Sequence, residues 1–377
     1  MNTKIWLSSP HMGGNELKYI HEAFDENWVA PLGPNVNGFE EDLEKFLDAD
    51  VKVAALSAGT AAIHLALIEC GVSHGDEVLC QSMTFSATAN PIAYQGATPV
   101  FIDSEKETWN LCPIALEEAI QDRISKGKTP KAILAVHLYG MPYKVDEVHA
   151  VADKYNIPVI EDAAEALGST FKGKSAGTFG RFGVLSFNGN KIITTSGGGA
   201  LVSHTQEDKD KAVFLSTQAR DNAPHYQHSH IGYNYRMSNI TAGIGRGQME
   251  VLQSRVEARR SMHDFYVELF KDIDGVTVFS EPSADYYSNH WLSVIIVDPK
   301  ITGKTREDLR LSFLEDNIES RPLWKPMHLQ PVFANALYYG GKVAEELFDN
   351  GLCLPSGSNL SDAERERIAK KVKEVFA

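Results

Sequence analysis

The sequence predicts an α/β fold with a mostly parallel sheet that is covered by helices on both faces. Between residues 51 and 160, short apolar runs typical of buried strands alternate with helical patterns, which is the order found in such sheets. The length of 377 residues suits a large domain plus a smaller one. We therefore expect a large domain over residues 1–248 and a smaller C-terminal α/β domain over residues 249–377.

Predicted strands and helices alternate in the first half of the chain. A helix is predicted over residues 12–24, because Leu17, Ile20 and Phe24 recur at helical spacing. The apolar runs that follow predict strands over residues 51–56, 77–80, 98–102, 132–136 and 157–160. The segments around them predict helices over residues 61–70, 86–95, 113–124 and 145–155.

After residue 180 the predicted strands follow one another more closely. Strands are expected over residues 182–187 and 200–202, and a long helix over residues 239–270. The remaining patterns predict strands over residues 276–279 and 291–297, and helices over residues 305–316 and 361–375. These last elements form the predicted smaller domain.

Composition narrows the class of function. The net charge of −14 argues against nucleic acid as a main partner, because binding its phosphates requires clustered Lys and Arg. No run approaches the roughly 18 apolar residues of a membrane span, and the first residues lack the apolar core of a signal peptide. The four cysteines contain no C-x-x-C pair, so we expect reduced thiols in a cytoplasmic protein.

The most informative stretch is residues 186–199, Ser-Phe-Asn-Gly-Asn-Lys-Ile-Ile-Thr-Thr-Ser-Gly-Gly-Gly. Lys191 has no Asp, Glu, Lys or Arg near it in the sequence, a setting that would partly desolvate the amine and favour a nucleophile able to form a Schiff base. The glycines let the backbone approach a flat ligand closely. The alternative is a buried strand end followed by a glycine-rich hairpin.

Polar residues stand at the carboxyl ends of several predicted strands. Ligands of parallel sheets bind beyond these ends. The residues are Asp103, His137, Asp162 and Ser186. Together with the solitary lysine downstream, they predict a built site at this edge of the sheet.

Two further segments suit a phosphorylated planar ligand. Ser57-Ala-Gly-Thr60 lies between a predicted strand and a predicted helix, where free N–H groups, the Thr60 hydroxyl and a close approach at Gly59 would bind phosphate. Ordinary helix capping is the alternative. Phe85 follows the strand at 77–80 and could stack on a planar ring, or else be a core residue under the loop.

Taken together, these parts match the needs of pyridoxal 5′-phosphate. A phosphate cradle, a stacking aromatic side chain, an aspartate and a lysine are all present. The aspartate, Asp162, would keep the pyridine nitrogen protonated so that the ring accepts electrons. Lys191 would hold the aldehyde as an imine and then move the proton. The sequence thus predicts this cofactor and no metal.

Longer motifs carry a family resemblance. They are Ser57-Ala-Gly-Thr-Ala-Ala62, Glu161-Asp-Ala-Ala-Glu165, the stretch 186–199 and Gly232-Tyr-Asn-Tyr-Arg-Met237. These blocks resemble the signatures of the DegT/StrS sugar aminotransferases, and the resemblance runs from Pro10 to Gly357. Within the family, Ser8-Ser-Pro-His-Met-Gly-Gly-Asn-Glu16 and Arg321-Pro-Leu-Trp-Lys325 are similar to segments of the aminotransferases of the UDP-N,N′-diacetylbacillosamine pathway.

The resemblance implies an aspartate-aminotransferase-like fold (fold type I) and a set of site residues. Lys191 and Asp162 match the two catalytic positions. The positions that match cofactor-binding residues are Gly59, Thr60, Phe85, Asp162, Glu165, Ser186, Lys191 and Asn234. Asn234 matches an asparagine that reaches the cofactor phosphate of the neighbouring subunit, so the resemblance implies a homodimer with shared active sites.

The substrate site is expected to include six residues, and two of them depart from the family pattern. The expected residues are Ala30, Pro31, Glu165, Asn188, Arg220 and His328. Many relatives carry Gln or His where Glu165 stands, and many carry His where Asn188 stands. The acidic Glu165 could read a sugar hydroxyl or tune the imine.

The reaction that the resemblance implies is amino transfer from L-glutamate to the C4 ketone of a nucleotide-linked 4-keto-6-deoxy sugar. The UDP-linked 2-acetamido sugar is the main expectation. One alternative is another keto sugar nucleotide, either C3-keto or linked to GDP or dTDP. The other is a non-catalytic regulator that only binds the cofactor, against which the intact Lys191, Asp162 and Ser186 argue.

Overall fold

The structure is a computed structural model that describes residues 2–376. In chain order, helices α1 to α13 of this range span Glu16–Asp25, Pro34–Leu47, Gly59–Glu69, Ser86–Tyr94, Pro113–Ser125, Val145–Tyr155, Gln206–Ser216, Asn239–Met249, Leu252–Phe270, Pro299–Thr302, Arg306–Glu315, Val343–Asn350 and Asp362–Phe376. Strands β1 to β15 span Lys52–Leu56, Glu77–Gln81, Thr98–Ile102, Ala132–Val136, Val159–Asp162, Thr170–Phe171, Lys174–Ser175, Phe182–Ser186, Gly199–Ser203, Val276–Val278, Tyr286–Tyr287, Ser293–Val297, Arg321–Pro322, Leu337–Tyr339 and Gly351–Leu354.

An eight-stranded sheet in the order β1-β9-β8-β5-β4-β2-β3-β14 forms the centre of the larger part. The pairs from β8 to β14 are all parallel, whereas β9 runs antiparallel to β1 and β8. Alternate residues of these strands enter cores on opposite faces, as Ala54 and Ala55 of β1 do. The prediction of a mostly parallel α/β fold is therefore confirmed.

A second, four-stranded sheet lies in the C-terminal part of the chain. Its order is β10-β12-β15-β13, and each pair is antiparallel. Helices α9, α11 and α13 supply buried side chains, such as Tyr266, Phe313 and Ile368, to its core. The predicted domain boundary after residue 248 stays a prediction, and contacts run across it, since Ile5 bridges to Ile318 and β14 extends the large sheet.

The prediction of one long helix over residues 239–270 is wrong. The chain instead forms α8 and α9, which are separated at Glu250 and Val251. Glycines pack α8 tightly on its neighbours, since a Cβ at Gly245 would lie 2.7 Å from the Phe39 ring and one at Gly247 would lie 2.7 Å from the backbone of Glu16. Helix α9 leaves this packing and continues toward the small sheet, so a single straight helix cannot satisfy both contacts.

The sequence patterns also missed several elements. Helices α2, α7 and α12 were not predicted, because turn-rich or strongly polar sequence hides their apolar stripes. Among residues 2–376, we find no helix that combines the length and the apolar character needed to cross a membrane.

Candidate active site

Strand register brings the predicted strand-end residues together. Gly199 of β9 lies opposite both Leu56 of β1 and Ser186 of β8. One strand further along, Asp162 of β5 is paired with Val184 of β8. The carboxyl ends of β1, β5 and β8 and the amino end of the antiparallel β9 therefore lie at one edge of the sheet, beside a cavity of about 210 Å³. Of the predicted site residues, those that line it are Gly59, Thr60, Phe85, Asp162, Glu165, Ser186, Asn188 and Lys191.

One end of the cavity is built for an anion. Helix α3 begins at Gly59 without a side-chain cap, although Gly59 itself is buried. Its first N–H groups and the positive end of its dipole thus face the cavity unshielded. A Cβ at Gly59 would lie only 3.2 Å from the Ser186 Cβ, so glycine permits the close approach of the two segments. The Ser186 side chain is half-buried beside this helix end.

Asp162 is fixed at the floor of the cavity. The Thr88 hydroxyl donates to Asp162 Oδ2 at 2.6 Å, and the Ala164 N–H donates to Oδ1 at 3.1 Å. Thr84 lies 2.6 Å from Thr88 and continues this hydrogen-bonded chain. A carboxylate held in one orientation can pair with a cationic ring nitrogen above it.

Lys191 projects into the same cavity. Its Nζ lies 3.7 Å from Glu165 Oε1 and 4.3 Å from the centre of the Trp291 ring. The Trp291 indole N–H donates to the carbonyl of Asn190 at 2.7 Å, which fixes the loop that carries the lysine. The isolation of Lys191 from charge thus holds along the sequence but not in space, because Glu165 supplies a nearby carboxylate.

Glu165 is buried and only partly compensated. Its Oε2 accepts the Tyr139 N–H at 2.7 Å, and Tyr139 adopts left-handed backbone angles (φ 54°, ψ 18°). Burial raises the pKa of Glu165, while the Lys191 charge and the Tyr139 N–H only partly offset that rise, and the nearby Asp162 adds to it. A carboxyl group so poised can hold a proton closer to neutral pH than an exposed glutamate.

Aromatic side chains form the mouth of the cavity. Phe85 is 52% exposed, so the alternative of a core phenylalanine is excluded, and its ring lies 5.3 Å from that of Trp324. Thr84, Phe85 and Trp324 also line an adjoining cavity of about 250 Å³, which contains Lys325 and Gln330. Together the two cavities offer room for a ligand much longer than one ring.

Trp291, Trp324 and Tyr139 are functional candidates that sequence reasoning missed. Trp291 lay in a predicted strand, and nothing in its spacing separates it from a core residue. Trp324 belongs to the Arg321–Lys325 segment that carried the resemblance, which was the one available signal.

Two strand-end residues of the sequence prediction do not join the site. The Asp103 carboxylate accepts the N–H groups of Val343 and Ala344 at 3.1 and 2.9 Å and so caps α12. His137 is wholly buried and donates from Nε2 to Glu161 at 2.7 Å. The position after a strand does not fix which way the side chain turns, and here it turns into structural contacts.

Five predicted residues lie away from the cavity of their own chain. Asn234, Pro31 and Arg220 are exposed, and Arg220 packs over the Tyr226 ring at 4.4 Å. Ala30 is half-buried, and its carbonyl accepts the Asn239 N–H at 2.8 Å. The remaining residue, His328, bonds Ser82 Oγ at 2.7 Å. Their roles stay predictions.

Within residues 2–376, no cluster of three His, Cys, Asp or Glu side chains is arranged to hold a metal ion. Of the closely spaced His225, His228 and His230, which could have suggested zinc ligands, His228 bonds the Gln218 carbonyl at 2.8 Å and His230 bonds Ser229 Oγ at 2.9 Å.

Comparison with known proteins agrees with this geometry. The DegT/DnrJ/EryC1/StrS aminotransferase family matches residues 10–373. EpsN of Bacillus subtilis (strain 168), whose name assigns it provisionally as a pyridoxal phosphate-dependent aminotransferase, is 53% identical over 100% of this chain and 97% of its own length. GDP-perosamine synthase of Escherichia coli O157:H7 is 36% identical over 99% of both chains. The crystal structure of a DegT DnrJ EryC1 StrS aminotransferase from Brucella abortus superimposes with a TM-score of 0.89 and 29% identity, over 96% of this chain and 95% of that one.

The residues present fit pyridoxal phosphate. The uncapped start of α3 suits the phosphate, the fixed Asp162 suits the ring nitrogen, and Lys191 lies where an aldehyde would meet its amine. A side chain at Gly199 would overlap the backbone of Ala58, since its Cβ would lie 2.4 Å from the Ala58 carbonyl carbon, so the cradle depends on glycine there. The chain therefore belongs to the DegT/DnrJ/EryC1/StrS aminotransferase family and is a pyridoxal phosphate-dependent sugar aminotransferase.

Proposed function

We propose that the protein transfers an amino group from L-glutamate to the C4 ketone of a nucleotide-linked 4-keto-6-deoxy sugar. The observation that carries this proposal is that Lys191 lines the same cavity as the cofactor cradle and the aromatic mouth, and that Phe85 and Trp324 of this mouth also line a second cavity. A carbonyl presented through that mouth would reach the lysine, while the rest of a long substrate would remain in the outer cavity.

Each group of this chain has a separate task. When bound, pyridoxal phosphate supplies an aldehyde and a ring that accepts electrons. The start of α3 and Ser186 bind the phosphate, and Asp162 holds a proton at the ring nitrogen. Lys191 would hold the aldehyde carbon through its amine and would also be the group that moves a proton at the substrate carbon.

The outer cavity suits the sugar nucleotide. Phe85 and Trp324 offer flat faces for a sugar or base, Gln330 offers an amide, and Lys325 offers a positive charge for a diphosphate. UDP is the nucleotide that the sequence resemblance suggests. The likeness to GDP-perosamine synthase favours a GDP-linked sugar instead, so GDP is the second candidate.

The exposed residues of the sequence prediction support a homodimer. Apolar side chains around Ala30 and Pro31 lie on the surface, namely Phe24, Trp28, Val29 and Leu32. The Asn239 side chain donates to the Trp28 carbonyl at 3.0 Å, which ties this segment to the start of α8, five residues after Asn234. We propose that this joined surface faces the partner and that Asn234, Ala30 and Pro31 act in the neighbouring site.

The cysteines support a cytoplasmic location. All four, Cys70, Cys80, Cys112 and Cys353, are free thiols, as in a reducing compartment.

A panel of substrates tests the proposed reaction. The cofactor-loaded protein is incubated with L-glutamate carrying isotopic nitrogen and with UDP-, GDP- and dTDP-linked 4-keto-6-deoxy sugars, beside C3-keto controls. We expect mass spectrometry to find the label in one 4-amino product, and the preferred nucleotide decides between UDP and GDP. Label only in a C3-amino product, or in none, would refute the assignment.

A further inference from the structure

We infer that Glu165 positions the Lys191 ammonium in the cofactor-free chain and accepts the proton that this ammonium must lose before the amine can attack a carbonyl. The inference rests on Lys191 being the reactive amine of the proposed function. It deepens that function by assigning a proton partner to the lysine.

The contacts of Glu165 leave one oxygen for the lysine. Oε2 is taken by the Tyr139 N–H at 2.7 Å, whereas Oε1 lies 3.7 Å from Lys191 Nζ. The left-handed backbone at Tyr139 aims that N–H at the carboxylate and so fixes its orientation. The backbone of Glu165 is also held in place, because the Asn289 side chain donates to the Glu165 carbonyl at 3.0 Å.

Lys191 is confined on its other side. The Trp291 ring lies 4.3 Å from Nζ, a distance at which an aromatic face attracts a cation. The lysine side chain is only 12% exposed, so water screens its interaction with Glu165 weakly. The ammonium is thus held between a carboxylate and an aromatic face, and Lys191 lines the cavity.

The charges around Glu165 favour proton exchange. The titratable side chains that act on it are Lys191, Asp162, Tyr139 and Cys353. Burial raises the pKa values of Tyr139 and Cys353, so both are neutral near pH 7. The buried Trp324 Nε1 makes no hydrogen bond but lies near enough to help stabilise the Glu165 charge. Asp162 is held by the Thr88 hydroxyl and the Ala164 N–H, so Lys191 and Glu165 remain as the adjacent proton donor and acceptor.

The proton step balances without any other reactant. One N–H bond of the Lys191 ammonium breaks, and its electron pair stays on nitrogen as the nucleophilic lone pair. Once the flexible lysine side chain closes the 3.7 Å gap to hydrogen-bond distance, the proton forms an O–H bond with Glu165 Oε1. An ion pair becomes a neutral pair, which costs little desolvation in a site shielded from water.

Chemical labelling of the cofactor-free full-length protein tests the pair. Brief pulses of acetic anhydride between about pH 6 and pH 11, a range that spans ordinary lysine titration, are followed by peptide mass spectrometry of Lys191. In Glu165→Gln, an amide can still accept the Tyr139 N–H but carries no charge. We expect half-maximal labelling of Lys191 to move to lower pH by roughly one unit, the low end of the effect of an opposite charge within 4–6 Å.

Controls separate this role from a structural one. Glu147→Gln removes an exposed carboxylate and should leave the labelling profile of Lys191 unchanged. Exposed Lys174 serves as a reference lysine, and its own labelling profile should be the same in every sample. Should Glu165→Gln unfold, Glu165→Asp withdraws the charge by one methylene and should give a smaller shift in the same direction. An unshifted Lys191 profile in the folded variant would overturn the inference.

The outcome is independent of the proposed reaction. Borohydride reduction of the loaded protein should fix a phosphopyridoxyl mass on the Lys191 peptide. Loss of that mass would refute Lys191 as the cofactor lysine, whatever the labelling profile shows. If the cofactor is trapped on Lys191 but the labelling profile of Lys191 is unshifted in Glu165→Gln, only the role of Glu165 is refuted.

Discussion

Two buried glutamates four residues apart show how one segment serves both structure and chemistry. Glu161 and Glu165 lie at either end of Glu161-Asp-Ala-Ala-Glu165, and neither is more than 5% exposed. Glu161 accepts from His137 Nε2 at 2.7 Å and from the N–H groups of Gly177, Phe179 and Gly180. Glu165 accepts one N–H and faces the Lys191 ammonium at 3.7 Å.

The pKa values follow from these partners. Burial by itself would raise the pKa of Glu161, but His137 and the backbone N–H groups outweigh it and hold that pKa below its usual range. Burial also raises the pKa of Glu165, and there the compensation is incomplete. A saturated carboxylate anchors the fold, whereas an undersaturated one beside a cavity remains free to exchange a proton.

The largest expected effect lies on the cavity side. Lys191→Ala should lower amino transfer by at least about 10³-fold, because it removes both the imine and the proton carrier. Product formation from the preferred sugar nucleotide gives the rate, and Lys174→Ala is the exposed control. The urea midpoint should change little, and a variant that unfolds as readily as it loses activity would mean that Lys191 is structural.

Glu161→Gln should instead act on folding. The new amide N–H₂ must face N–H donors, and the His137 ring loses its charged acceptor. Removing one partner of a buried pair costs about 3–5 kcal/mol in free energy of unfolding. Urea unfolding of Glu161→Gln beside Glu165→Gln measures the difference, and equal losses would break the comparison.

The pH dependence of unfolding should separate the two residues further. The lowered pKa of Glu161 contributes stability that is present above about pH 4.5 and is lost as the pH falls below it. The raised pKa of Glu165 does the opposite: its charged form is a burden that protonation relieves as the pH falls toward about 4.5. The extra free energy of unfolding of the wild type over Glu161→Gln should therefore shrink below about pH 4.5. The free energy of unfolding of the wild type relative to Glu165→Gln should instead fall as the pH rises above about 4.5. Parallel curves over pH 3–8 would contradict both assignments.

The contrast also explains how far sequence reasoning could reach. Gly59, Asp162 and Ser186 were predicted because strand ends of a parallel sheet share one edge, so position in the chain fixed position in space. His137 and Asp103 satisfied the same rule, yet their side chains turn into structural contacts, which the rule does not see.

Other site features depend on contacts distant in the sequence. Trp291 reaches Lys191 from 100 residues away, and Trp324 comes from still further along the chain. The left-handed backbone of Tyr139 has no signature in its sequence, since such a conformation is uncommon for a residue other than glycine. The isolation of Lys191 from charge was accordingly misjudged: no charged residue neighbours it in sequence, but Glu165 does in space.

The surroundings of Glu161 lie within one chain, whereas we expect the cofactor site to be shared between two chains. Glu161 is fully buried within its own chain, whereas exposed Asn234 is predicted to complete the phosphate site of the partner. Two defective chains could then complement each other. Lys191→Ala removes the amine in one chain, and Asn234→Asp in the other repels the partner's phosphate by like charge.

Co-expression with two affinity tags tests this arrangement. In a mixed dimer of Lys191→Ala and Asn234→Asp chains, one site combines both lesions and the other carries neither, because the two residues come from different chains. Purified mixed dimers should thus recover up to about half of wild-type activity, although each parent is inactive. As a control, a Lys191→Ala/Asn234→Asp double variant paired with wild type should leave two sites with one lesion each and little activity. If the mixed dimers stay as inactive as their parents, Asn234 acts within its own chain, and the cavity is as self-contained as the surroundings of Glu161.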